Sequence, residues 1–452
     1  MQAVIKNFKF KGYKKFSDWV ELNFEVNPNK YAIKDYLKSF AYDGANVLHY
    51  NAITGIIGSN SSGKTSTLEI IEQYAKYLQS GISPFGTGAN ADFDARNHHE
   101  RHRPATMPTP SQMREFFKSK MSKIFGAANS FNAKNDVIEM VVEIAIEGAV
   151  IKHECEFRLD GRISERFYFK KRINKNETTQ LIFSKTFEQE ISFRTFASLL
   201  ESDEIIVSNR LANVSQDDVK KAAQALYEIS TSIVDTEQSD LPFFKLSSNV
   251  FFDNIKSDDD LLSRVGIMQE IIRLMDTSIK EVKISPTFNN QYIEFDFHLN
   301  DGTVVRESSI STGTIKFTSL VLKALYLYKK DKGHTKYILV DEIDNSWHPN
   351  LTKTFLQIFK LPFLKDFNLI CTFHNPYIST EFREDSLYLT TINGPITWVQ
   401  FINDHNKEHA NNKIRLEHSF ARKYLEDLLT SIDISEAIVS NLIQEIEKVD
   451  LN

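Results

Sequence analysis

Cysteine is nearly absent from this 452-residue chain. Two residues, Cys155 and Cys371, cannot build a disulfide framework. That excludes a small stapled secreted fold and points to a reducing, cytoplasmic setting. A basic excess is also missing: the formal net charge is -6, so no strongly basic face is implied. Nucleic-acid binding would need a local patch rather than the global balance. No apolar run approaches the ~18 residues of a membrane span, so no membrane partner is expected. The opening M-Q-A-V-I-K-N-F-K-F-K-G-Y has no apolar core of a leader, so no secretory signal is expected. What is present is ordinary globular composition, 41% hydrophobic and 25% charged, in a chain long enough for two or three domains' worth of core. The 34 phenylalanines are read as core filling.

Along the chain, the first 26 residues alternate like strands, as V-I-K-N-F-K-F and W-V-E-L-N-F-E-V. Ile53 to Ile57 form a short apolar run. Leu68, Ile71, Ala75 and Leu78 then recur at helical spacing. Residues 80–112 lose periodicity and read as a long mobile surface loop. Residues 137–170 return to alternation with a turn at Asp160-Gly161, a β-meander. Residues from about 195 to 280 are mostly helical by pattern, most clearly Asp258 to Lys280. Strands, helices and an apolar Y-I-L-V-D-E follow, then N-L-I-C-T-F ending at His374.

Three segments carry chemistry. G-S-N-S-S-G-K-T, from Gly58 through Ser59, Asn60, Ser61, Ser62, Gly63 and Lys64 to Thr65, is a complete P-loop pattern. It lies between a strand and a helix, the context that motif requires. Its glycines let backbone N–H groups wrap a phosphate, Lys64 reaches the β- and γ-phosphates, and the Thr65 hydroxyl ligates Mg²⁺. Ser66 extends the loop into the helix, whose positive end adds to the anion site. In Y-I-L-V-D-E, Asp341 would hold Mg²⁺ and Glu342 would activate the attacking water. ATP with Mg²⁺ is therefore the expected ligand pair. S-S-I-S-T-G-T heads a helical run: Ser311 and Gly313 would present a hydroxyl and an N–H to a γ-phosphate, or Ser311 simply caps the helix. His374, at a strand end before Asn375-Pro376, could place the water or merely precede a turn. Lys64 and Asp341 stand 277 positions apart, so something is inserted between the two halves of the site.

F-K-F-K-G-Y-K-K-F, G-S-N-S-S-G-K-T, S-S-I-S-T-G-T, V-D-E-I-D-N-S-W-H-P and C-T-F-H-N-P together resemble the ABC-type ATPases of the SMC, RecF and OLD group. The closest resemblance is to the ATPase subunits of bacterial antiphage defence, of PARIS or Septu type. It covers 1–80 and 265–380 well and the middle only in outline. The resemblance implies an α/β P-loop ABC-type head with a β-meander lobe and a helical insertion between the P-loop and the signature. The implied division is an N-terminal lobe at 1–190 with a mobile loop at 80–130, a mainly helical insertion at 191–280, a second ATPase lobe at 281–390, and C-terminal strands and helices at 391–452. It implies a homodimer or higher homo-oligomer with head-to-tail ATP sites, Ser311 and Gly313 completing a partner's site, Asp344 in a loop facing that partner, and His348-Pro349 opening the next helix. It implies a phage protein or nucleic acid as trigger and a separate effector, a Toprim or HNH nuclease, since the residues after His374 are too few for a Toprim domain. The alternative is a RecF-like DNA-binding ATPase in repair. I-S-T-G-T departs from the transporter L-S-G-G-Q, Gln112 is a weakly placed Q-loop candidate, and Tyr13 or Lys11 could meet adenine.

Three further clusters read as plain surface. These are N-H-H-E-R-H-R at 97–103, which could hold a metal, F-K-K-R-I-N-K at 169–175, which could meet phosphates, and R-L-E-H at 415–418.

Overall fold

The computed structural model describes residues 2–29, 37–43, 46–58, 62–80, 137–158, 163–173, 176–185, 216–235, 246, 249–252, 255–285, 294–330, 334–345, 347–359, 364, 366–391, 394–397, 400 and 407. In chain order the first half holds β1 (Ala3–Lys11), β2 (Val20–Asn23), β3 (Leu37–Asp43), β4 (Asn46–Asn51), β5 (Ile53–Ile57), α1 (Lys64–Ser80), β6 (Val137–Ile146), β7 (Ala149–Arg158), β8 (Ile163–Ile173) and β9 (Asn176–Lys185). The second half holds α2 (Gln216–Ser232), β10 (Ile233–Asp235), α3 (Asp258–Met275), β11 (Ile279–Ile284), β12 (Phe295–Leu299), β13 (Val304–Arg306), α4 (Thr312–Lys330), β14 (Lys336–Val340), α5 (Pro349–Ile358), β15 (Phe367–Phe373), β16 (Leu387–Thr391) and β17 (Gly394–Thr397). This is a mixed α/β fold.

Two six-stranded sheets dominate, and their sequences show why they differ. The first runs β2-β1-β6-β7-β8-β9, with every recorded pairing antiparallel. Its strands alternate: in β6, Ile138, Met140, Val142 and Ile144 are buried between half-exposed Glu139 and Glu143. Alternation of this kind suits a sheet with one face packed and one face wet. The second runs β10-β14-β15-β5-β16-β17 and is parallel except for the last pair. Its central strands, K-Y-I-L-V and F-N-L-I-C-T-F, are mostly apolar and buried at every position. Only a strand covered on both faces tolerates such a run.

Helix α1 joins the two sheets. Ile70, Ile71, Tyr74 and Leu78 share one buried cluster with Phe8, Met140 and Phe167 of the meander and with Leu339 and Ile370 of the parallel sheet. Ala222, Ala225, Leu226 and Ile229 of α2 belong to the same cluster. Strand β10 then enters the parallel sheet beside β14. Of the described part of 191–280, α2 and β10 thus share the core of the two large sheets. Helix α3 packs instead with α4, β11 and β12 in a second cluster. Ser257 caps α3 by accepting from Asp260 N at 3.2 Å, and three aspartates in its first turn suit the positive helix end. Of the loop expected at 80–130, Ser80 ends α1 and the remainder lies outside the described residues, as do Gln112, the clusters at 97–103 and 415–418, the turn expected at Asp160-Gly161 and most of 391–452. No described helix is long and apolar enough to cross a membrane.

Candidate nucleotide site

The parallel sheet brings the ends of β5, β14 and β15 side by side, because β15 pairs with β5 on one edge and β14 on the other. Each strand is followed by one of the candidate segments. After β5 the chain turns through Gly58, and the described path resumes at Ser62 before α1 starts at Lys64. Ser59, Asn60 and Ser61 lie outside the described residues. Gly63 has φ of +99°, a conformation that side-chain-bearing residues rarely adopt, and an added Cβ there would strike the Phe16 ring and the Lys15 stem. Gly58 is required for space: a Cβ would collide with Thr390 Oγ1 and Ser62 Oγ.

Lys64 is buried, and its ammonium donates to the Gly58 carbonyl at 2.9 Å. Burial pushes its pKa below the usual lysine value, against the opposing pull of Asp341, Glu342 and Asp344. The Thr65 hydroxyl donates to Asp341 Oδ2 at 2.7 Å. Asp341 Oδ1 accepts from the Thr372 hydroxyl, and the same Thr372 oxygen accepts the Glu342 N–H at 2.7 Å. Thr372, on β15, therefore braces both acids at once. Glu342 sits at φ of +46°, a left-handed conformation that costs a non-glycine residue about 1–3 kcal/mol. Its carboxylate meets Asn345 Nδ2 at 3.1 Å and His374 Nε2 at 3.5 Å. The other ring nitrogen of His374 lies 3.5 Å from Lys64 Nζ. One imidazole thus stands between the P-loop lysine and the acid. The arrangement suits the neutral tautomer with the proton on Nε2, since Lys64 can only donate.

Lys64, Thr65, Asp341, Glu342 and His374 are thus gathered from three strands. Ser66 follows on the first turn of α1. Ser311 and Gly313 stand at the head of α4. Ser311 Oγ accepts from Thr314 N at 3.1 Å, which is N-cap geometry, and Ser311 remains exposed. Gly313 is buried, and its carbonyl accepts from the Trp347 indole at 2.9 Å. Asp344 turns inward: its Oδ2 accepts from His374 N at 2.9 Å and Asn375 N at 2.7 Å, fixing the turn that carries His374. His348 caps α5 and Pro349 opens it.

Sequence reasoning missed Thr372, Thr390 and Lys15. Thr390 Oγ1 lies 2.5 Å from Ser62 Oγ and donates to the Ile57 carbonyl at 3.1 Å, backing the P-loop from β16. Lys15 stands against the P-loop at Gly63, and its pKa is lowered first by burial and then by repulsion from Lys64. Lys15 thus adds a second positive charge beside Lys64, which suits a polyanion. Tyr13 is buried with its hydroxyl 3.2 Å from Glu69, and Lys11 pairs with Glu139 at 2.8 Å. No local pattern marks Thr372 or Thr390, whose partners lie 31 and 333 positions away.

A family model described as "AAA domain, putative AbiEii toxin, Type IV TA system" matches residues 53–380, from the strand before the P-loop to just past His374. The chain belongs to this family. Membership makes it a P-loop ATPase-type, nucleotide-binding domain. No curated protein matches the sequence. Among solved structures, an SMC head bound to the C-winged helix domain of ScpA is 13% identical, with 88% of this chain and 99% of that chain covered and a TM-score of 0.40. The SMC head domain from Thermotoga maritima is 12% identical, with 88% and 99% covered and a TM-score of 0.38. The Smc head with an extended coiled coil, bound to the C-terminal domain of ScpA derived from Pyrococcus furiosus, is 11% identical, with 90% and 100% covered and a TM-score of 0.41. At such scores the superposition is loose.

Proposed function

We propose that this AAA-domain protein is a cytoplasmic, Mg²⁺-dependent ATPase whose sites are completed between copies of itself, and that it controls a separate antiphage effector. The observation that carries the chemistry is the convergence of Lys64, Thr65, Asp341, Glu342 and His374 at adjacent strand ends. Lys64, Lys15 and the Gly58–Gly63 backbone hold the phosphates, with Ser59, Asn60, Ser61, Ser62 and Ser66 completing the loop. Thr65 and Asp341 already present two oxygens 2.7 Å apart, a hard donor pair of the kind Mg²⁺ takes. Bound there, Mg²⁺ supplies charge neutralisation for phosphoryl transfer. Glu342 orients and deprotonates the attacking water, and His374 holds Glu342 in register with Lys64.

The exposure of Ser311 at a helix N-terminus, where an anion held by another copy could be met, supports the head-to-tail reading. A phage protein or nucleic acid as trigger and a Toprim or HNH nuclease as effector are proposed on the sequence resemblance alone. The test of the chemistry is Glu342→Gln. It should keep nucleotide binding, lose turnover by at least about 100-fold, and favour the assembled state. Normal hydrolysis by that variant sinks the mechanism. Ser311→Arg should abolish turnover while nucleotide binding persists. Sedimentation with and without ATP tests the pairing of copies.

A further inference from the structure

The head of α4 is fastened to the turn that carries Glu342 at two points. Lys316, at the start of the second turn of α4, donates from Nζ to the Glu342 backbone carbonyl at 3.1 Å. Trp347, just beyond that turn, donates from its indole to the Gly313 carbonyl at 2.9 Å. The Lys316 ammonium lies 6.0 Å from the Trp347 ring centroid, so the two fastenings also touch each other. Trp347 is buried and wedged edge-on against Phe317 of α4 at 5.5 Å and tilted against Phe355 of α5 at 5.3 Å. It cannot slide without displacing both helices. The residue held at the far end, Glu342, has a left-handed backbone. A strained conformer persists only while its surroundings over-determine it.

We propose that Lys316 and Trp347 are positioning residues that transmit the state of the α4 head to Glu342. This rests on the proposed function above and deepens it. In a pair of copies, Ser311 of one chain meets the nucleotide polyphosphate held by the other, while its own Glu342 serves its own nucleotide. A shift of the first α4 turn on meeting that polyphosphate moves Gly313 and Lys316 together. The Glu342 carbonyl moves with them, and so does the direction of its carboxylate. Occupancy at one site thereby sets hydrolytic competence at the other. The link lies wholly within one chain, so the coupling is cooperative rather than merely additive.

The test uses the full chain with Lys316→Met, which keeps the aliphatic stem and removes the ammonium, and with Lys316→Arg as the conservative rescue. Phosphate release is measured against ATP concentration. Binding of a non-hydrolysable ATP analogue is followed by Trp347 emission in a Trp19→Phe, Trp398→Phe background. The wild type should turn over ATP with a Hill coefficient above one and shift its Trp347 emission on binding. Lys316→Met should bind the analogue within about threefold of wild type, lose about tenfold or more in kcat, fall to a Hill coefficient near one, and lose most of the emission shift. Lys316→Arg should recover part of each. The inference is overturned if Lys316→Met keeps kcat, Hill coefficient and emission shift within about twofold. Should Lys316→Met not fold, Trp347→Phe, which keeps an aromatic side chain of smaller size and removes the N–H donor, must lower the Hill coefficient; an unchanged value overturns the inference equally. A wild type that binds the analogue but never hydrolyses ATP overturns the ATPase reading itself, and the inference with it.

Discussion

Replacing Thr372 by valine removes one oxygen atom and keeps the shape of the side chain. The residue is fully buried on β15, and that oxygen serves Asp341 as a donor and the Glu342 N–H as an acceptor. A neutral hydrogen bond contributes about 0.5–1.5 kcal/mol and one to a charged group about 1.5–3 kcal/mol. The gain from burying a methyl in place of a hydroxyl offsets part of this, leaving an expected loss of about 2–3 kcal/mol in stability. The catalytic consequence follows from the Glu342 backbone. Its left-handed conformation costs about 1–3 kcal/mol, comparable with the restraint lost, so the acid should leave its position in most molecules. At 1.4 kcal/mol per tenfold, kcat should fall about 10- to 100-fold. Lys64, Gly58 and Gly63 are untouched, so nucleotide affinity should change much less. The assays are urea denaturation, phosphate release and titration with a fluorescent ATP analogue, with Thr372→Ser as the control that retains the hydroxyl. Unaltered stability together with kcat within about twofold of wild type would refute the reasoning.

Gly58→Ala should weaken nucleotide binding about tenfold or more, because the new methyl meets Thr390 and Ser62; adding Thr390→Ala should restore part of it, read by the same titration. Lys15→Met should weaken binding about three- to tenfold and flatten its salt dependence, a weaker loss than Lys64→Met gives. His153, buried with its ring 4.0 Å from Phe167 and its Nδ1 2.8 Å from the Tyr74 hydroxyl, has its pKa pushed down to about 3 by burial. The unfolded chain binds a proton below about pH 6.5 that the folded chain refuses, so stability is full above that pH and falls by up to about 1.4 kcal/mol per unit below it. His153→Phe should remove that slope between about pH 6.5 and 5 in urea melts, and an unchanged slope would contradict the assignment.

The elements around the site were legible where the signal is local. Ile53 to Ile57 and Tyr337 to Val340 are apolar runs that a doubly covered strand explains, and the glycines of the P-loop announce their backbone. The cap at Ser311 and the helix opening at His348-Pro349 were equally local. What stayed hidden depends on pairing across the chain. Strand β10 has three residues, too few for any periodicity, and only its register with Tyr337 to Leu339 makes it part of the core sheet. Thr372, Thr390, Lys15 and Lys316 are ordinary residues by type, and each acquires its role from a partner brought near by the sheet order. The inward carboxylate of Asp344 is of the same kind: its partners are backbone N–H groups 30 and 31 positions on.

The position of β5 in the parallel sheet has a consequence for how the chain is made. Its neighbours are β15 and β16, and Thr390 bonds the carbonyl of Ile57 across 333 positions of sequence. During synthesis at about 5–20 residues per second, the P-loop strand leaves the ribosome tens of seconds before either neighbour exists. An apolar strand with both edges unpaired is a template for aggregation through that interval. Messages cut short anywhere before β15 would leave both its edges permanently unpaired. Production of intact protein should therefore depend on chaperone capacity and on uninterrupted translation, more steeply than its folded stability alone would suggest.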